Sequence, residues 1–89
     1  MKYERLIEAI AGKVHDAWWE TKKQGGFHHP NMCTHTDDAL LRFNGSCPKC
    51  HKDMIPYDDL PEEIKEYDRV TARTVLKALM ELGYSIVLD

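Results

Sequence analysis

The stretch that decides the fold is Cys47-Pro48-Lys49-Cys50-His51-Lys52-Asp53-Met54-Ile55-Pro56-Tyr57-Asp58-Asp59-Leu60-Pro61-Glu62-Glu63. Its first half is a tight C-x2-C turn, a spacing that lets two thiolates grip one tetrahedral ion. Its second half leads into a helix, with Pro61 suited to a first helical position and Glu62 and Glu63 to the positive end of the dipole. A helix is therefore expected over about 61–82. Ala72, Val75, Leu76, Leu79 and Leu82 form its apolar stripe, and Gly83 is its stop. Asp68 offers an alternative cap, which would split the segment into 61–66 and 69–82. Tyr84-Ser85-Ile86-Val87-Leu88 reads as a short strand over 84–88. A lone strand requires a partner, either residues near 53–57 or a second copy of the chain.

Working back from the C-x2-C turn, residues 24–56 show little periodicity. A loop that long in a compact domain needs something to hold it. The same stretch concentrates His28, His29, Cys33, His35, Cys47, Cys50 and His51. Two close pairs separated by a loop are the usual layout of a structural zinc site. The expected ligands are His29, Cys33, Cys47 and Cys50, with His35 the second choice for the fourth position and His28 the third. Before the loop, about 2–23 reads as a helix. Tyr3, Leu6, Ile7, Ile10, Val14, Ala17 and Trp18 recur at spacings of three and four, and Gln24-Gly25-Gly26 ends the pattern. Trp18 and Trp19 point about 100° apart on a helix, so burying both requires cover over a second face.

The totals set bounds. The chain has 89 residues, 43% hydrophobic and 30% charged, and a formal net charge of −3. Chains this short bury only about 60–65% of their unfolded surface, so a metal or a partner chain is a common supplement. The negative balance argues against a nucleic-acid backbone as the main partner. No apolar run suits a membrane span. The start, MKYERLIEAI, lacks the apolar core of a signal peptide, which points to the cytoplasm. Three cysteines, an odd number, suit metal ligation better than a disulfide framework. The expected architecture is α+β and mainly α. It has two principal antiparallel helices, a long zinc-stapled loop and a short C-terminal strand, in one domain over 1–89.

The run HKDMIPYDDLPEEIKEYDRVTARTVLKALMELGY, from His51 to Tyr84, resembles the second half of the ryanodine receptor repeat, the RyR domain. His15-Asp16-Ala17-Trp18-Trp19, followed by Lys22-Lys23-Gln24-Gly25-Gly26-Phe27, resembles its first half. The resemblance covers residues 5–27 and 51–86. It departs at the centre, HHPNMCTHTDDALLRFNGSCPKC, so the metal site rests on spacing alone. His51 falls on a position of the family pattern and is set aside as a ligand. In calcium-release channels such repeats come in tandem pairs with pseudo-two-fold symmetry and act as peripheral regulatory modules. Single domains resembling them occur in bacteria and phages, with suggested roles in binding ligands, including nucleotide-like signals.

The resemblance implies a non-catalytic binding module for a small ligand or a protein, and a homodimer that restores the pair. His15, Trp19, Tyr57 and Arg69 are the expected ligand-facing residues, Arg69 for an anion and Trp19 and Tyr57 for stacking. No nucleophile–base constellation and no phosphate loop stand out in the sequence. The alternatives are a zinc-knuckle nucleic-acid binder and a small metal-dependent hydrolase, and the second of these needs an open metal position.

Overall fold

A computed structural model describes residues 3–33 and 47–87. It contains two long helices, α1 (Glu4–Gln24) and α2 (Glu62–Glu81), and two single 3-10 turns, Pro30–Met32 and Tyr57–Asp59. The helices fall close to the bounds expected from apolar spacing. Pro61 sits one position earlier than expected, as the residue before α2. Its carbonyl accepts from Ile64 N and Lys65 N, both at 3.0 Å. α2 runs unbroken through Asp68, so the split into two helices is not taken.

Both helices end in the same way. Gly26 (φ 85°) and Gly83 (φ 92°) occupy the left-handed region. After α1, Phe27 N donates to Lys22 O at 2.9 Å and Gly26 N to Lys23 O at 3.0 Å. After α2, Tyr84 N donates to Leu79 O at 2.9 Å and Gly83 N to Met80 O at 3.1 Å. This paired 6→1 and 5→2 bonding satisfies carbonyls that a helix end otherwise leaves open, and it requires a residue that tolerates positive φ.

The chain divides into two compact units, Met1–His15 with Pro61–Asp89, and Asp16–Leu60. The first is helical. Ile7, Ala72 and Leu76 form its buried cluster, with Tyr3, Leu6, Ile10 and Ile86 packed against it. Ala11 and His15 are also buried, so the inward line of α1 in this unit is Ile7, Ala11 and His15, four residues apart. On α2 only Ala72 and Leu76 are buried. Val75 and Leu82, expected on the core stripe, lie 47% and 73% exposed. The expected strand over 84–88 is corrected: residues 84–87 form none. Tyr84 instead closes the end of α2 through its amide, and Ile86 packs on the helical cluster. No neighbouring strand is present among the described residues to take up the ladder. The one β pairing there is an isolated parallel bridge between His28 and Cys50. The fold is therefore mainly helical.

Ion pairs trim the first unit. Arg69 Nε bonds Glu8, and its Nη1 reaches Glu62 Oε2 at 2.9 Å and Glu66 Oε2 at 3.6 Å. The guanidinium beside Glu62 holds that carboxyl below the usual glutamate range. His15 Nδ1 lies 3.8 Å from Asp68 Oδ2. Burial pushes the Asp68 carboxyl up, and the neighbouring imidazole partly offsets that.

Among the described residues of the second unit, regular structure is the C-terminal turns of α1 and the two 3-10 turns. The described residues buried in it include Pro30, Cys33, Cys47, Met54, Tyr57 and Leu60. Two of these are cysteines. Buried thiols that lie close together are the donor type a structural metal uses.

Candidate metal centre and the cleft beside it

The donors converge through local chemistry. Cys50 N donates to Cys47 O at 3.1 Å, closing the C-x2-C turn. Pro30 starts a 3-10 turn that ends at Cys33, whose N donates to Pro30 O at 3.2 Å. The two pieces are joined by the bridge at His28. Its N donates to Lys49 O at 2.9 Å, and its carbonyl accepts from His51 N at 2.8 Å. The left-handed Gly26 turns the chain toward this bridge immediately after α1. Lys49 then ties the turn to the helix end, with Nζ donating to Gly25 O at 3.1 Å and lying 4.3 Å from the Phe27 ring centroid.

One ligand atom each from His28, Cys33, Cys47 and Cys50 lies within 4.8 Å of all the others. His28 Nε2 is 3.7 Å from Cys47 Sγ and 3.3 Å from Cys50 Sγ. A tetrahedral ion with metal–sulfur bonds of about 2.3 Å and metal–nitrogen bonds of about 2.0 Å sets its N and S ligands about 3.5 Å apart. The observed distances bracket that value. Cys33 and Cys47 are buried, and no cysteine is in a disulfide. Burial and the adjoining Cys33 and Cys47 thiols push the Cys50 thiol up to about 12. Three thiols this close resist ionising together, and a divalent cation held there would supply the missing countercharge.

The three expected cysteines are thus brought together, but the fourth place is corrected from His29 to His28. The ring of His29 serves its own turn, where Nδ1 accepts from Asn31 N at 3.0 Å. His35 lies outside the described residues. His51, set aside as a ligand, packs edge-on against Trp18 with ring centroids 4.7 Å apart, and its Nδ1 accepts from Asp53 N at 3.2 Å. The signal that could have picked His28 was the glycine pair before it. A left-handed turn ending α1 at Gly26 leaves His28 extended and able to pair with Lys49–His51.

The model of the RyR domain family matches residues 1–88 of the chain. The chain belongs to the RyR domain family. A search of curated proteins found no match. Of the other residues expected to face a ligand in this RyR domain, His15 and Arg69 belong to the first unit and Trp19 and Tyr57 to the second. His15 is 3% exposed and Arg69 is held by carboxylates. Tyr57 is buried in its 3-10 turn. Trp19 is half-buried and lines a cleft of about 360 Å³ with Lys23, Phe27, Met32 and Met54. His28 and His29 complete the lining, so the cleft and the four-donor cluster share His28. No helix among the described residues is long and apolar enough to cross a membrane.

Proposed function

We propose that this RyR domain is a non-catalytic binding and regulatory module, recognising a small ligand or a protein partner. Its second unit is held by a structural zinc ion on His28, Cys33, Cys47 and Cys50. The observation that carries this reading is the closed set of four donors within 4.8 Å of one another. Four protein ligands leave no position for an activated water, which separates a staple from a hydrolase site. Three thiolates and an imidazole favour zinc over hard cations such as magnesium or calcium. Of the residues expected to meet a ligand, Trp19 is assigned to the binding cleft. His15, Tyr57 and Arg69 are assigned to packing and ion pairing. The net charge of −3 gives no support to the nucleic-acid alternative.

The expected workplace is the cytoplasm, where thiols stay reduced. A second copy of the chain is the proposed partner, supported by exposed Tyr67 and Val70 on α2 and Leu82 just past its end. The test is native mass spectrometry of the purified chain, followed by exchange of the metal for cobalt(II). One zinc per chain, a tetrahedral thiolate–cobalt spectrum and a dimer mass are expected. A chain that folds without metal, or a six-coordinate cobalt spectrum, overturns the staple. A monomer at high micromolar concentration overturns the dimer.

A further inference from the structure

We propose that the cleft beside the metal centre is a binding site for a small, flat aromatic anion, of the class of a fused-ring carboxylate. The inference rests on the reading of this chain as a binding module and names what its cleft takes. The walls are chosen for an aromatic body. Trp19 and Phe27 present ring surface, and Met32 and Met54 present thioethers, which fit around aromatic edges without strict shape demands. At about 360 Å³ the cleft lies at the small end of the range for small-molecule sites. That suits two fused rings with one substituent.

The sign of the ligand's charge follows from the polar groups. Among the described residues, the lining holds Lys23 and the imidazoles of His28 and His29, and no carboxylate. Two further ammonium groups, Lys22 and Lys49, lie 4.4 and 4.3 Å from the centroid of the Phe27 ring. The cationic character is therefore concentrated at Phe27 and Lys23, against a chain whose net charge is −3. An aromatic cation would meet Lys23 as a like charge, whereas an aromatic carboxylate gains a charge-assisted hydrogen bond. His28 is fixed by the bridge to Cys50 and by its place among the three sulfurs, so the floor of the cleft is set before any ligand arrives.

The test is a titration of the metal-loaded chain, carrying ¹³C-methyl methionine, with three probes of one shape: 2-naphthoate, 2-naphthol and 2-naphthylmethylammonium. Saturable shifts of the Met32 and Met54 methyl signals are expected with naphthoate. Naphthol should bind about three- to tenfold more weakly, the range spanned by an exposed to half-buried ionic hydrogen bond, and the ammonium probe most weakly. Lys23→Gln should abolish the preference for naphthoate over naphthol while leaving naphthol affinity unchanged. Equal binding of the three probes, shifts confined to other methyls, or a preference that survives Lys23→Gln overturns the proposal. A cobalt-loaded sample run in parallel separates the two readings. An intact thiolate–cobalt spectrum without naphthoate binding removes the cleft and leaves the staple. Naphthoate binding by a chain that holds no metal removes the staple and leaves the cleft.

Discussion

His28 and His29 are adjacent in sequence, yet their rings serve different tasks. One faces Cys47 and Cys50, and the other accepts the Asn31 amide. The contrast gives a sharp expectation. His28→Ala should weaken zinc binding by about a hundredfold or more, because it removes a ligand from a four-donor set. His29→Ala should leave affinity within about threefold, since only a local turn is lost. Competition with a chromogenic chelator measures both. Carboxylates in the first unit carry opposite pH slopes. The depressed Glu62 contributes stability that is present above the ordinary glutamate value of 4.5 and is lost as pH falls through its folded value. Asp68 is raised, so its ionised form opposes folding at neutral pH and that penalty is relieved as pH falls. In urea melts between pH 3 and 7, Arg69→Leu should flatten the acid loss of stability that Glu62 causes.

At the level of elements, the two helices were legible because their apolar spacing and glycine stops are local properties. Ile7, Leu76, Gly26 and Gly83 all act within a turn or two of their own position. The expected strand over 84–88 failed for the opposite reason. A β run is decided by a neighbour, and here Tyr84 closes α2 while Ile86 covers its cluster. The metal centre falls between these cases. The C-x2-C turn is local and was legible, but the choice among His28, His29 and His35 depended on a bridge between segments about twenty residues apart. Gly83→Ala should cost about 1 kcal/mol, because alanine resists the positive φ that the helix stop needs. Leu76→Ala should cost about 2–4 kcal/mol through lost burial and the cavity left behind. Thermal melts of the metal-loaded chain separate the two by size.

For the whole molecule, the proposed zinc staple would divide the work of stabilisation with regular secondary structure. The first unit has an apolar helical cluster, and the second would rest on a centre whose donors are brought together only on folding. Free zinc at about a thousand times its dissociation constant should raise stability by about 4 kcal/mol, since it binds only the folded form. Stripping with a strong chelator should reverse this, lowering the melting temperature and dispersing the near-ultraviolet signal of Trp18 and Trp19. A melting point indifferent to chelator would contradict the division. The family model spans residues 1–88, whereas the cysteine cluster was read from the spacing of its own residues.

The bridge at His28 has a consequence for measurement. The amides of His28 and His51 are both spent on it, at 2.9 and 2.8 Å, and each sits within one residue of a thiol or imidazole donor. Their exchange with deuterated water is therefore a built-in gauge of occupancy, needing no dye and no substituted metal. In the loaded chain both should exchange slowly, through opening of the centre alone. As chelator is added, both should speed up together and in proportion to the fraction stripped, so that two backbone hydrogens report the state of three sulfurs.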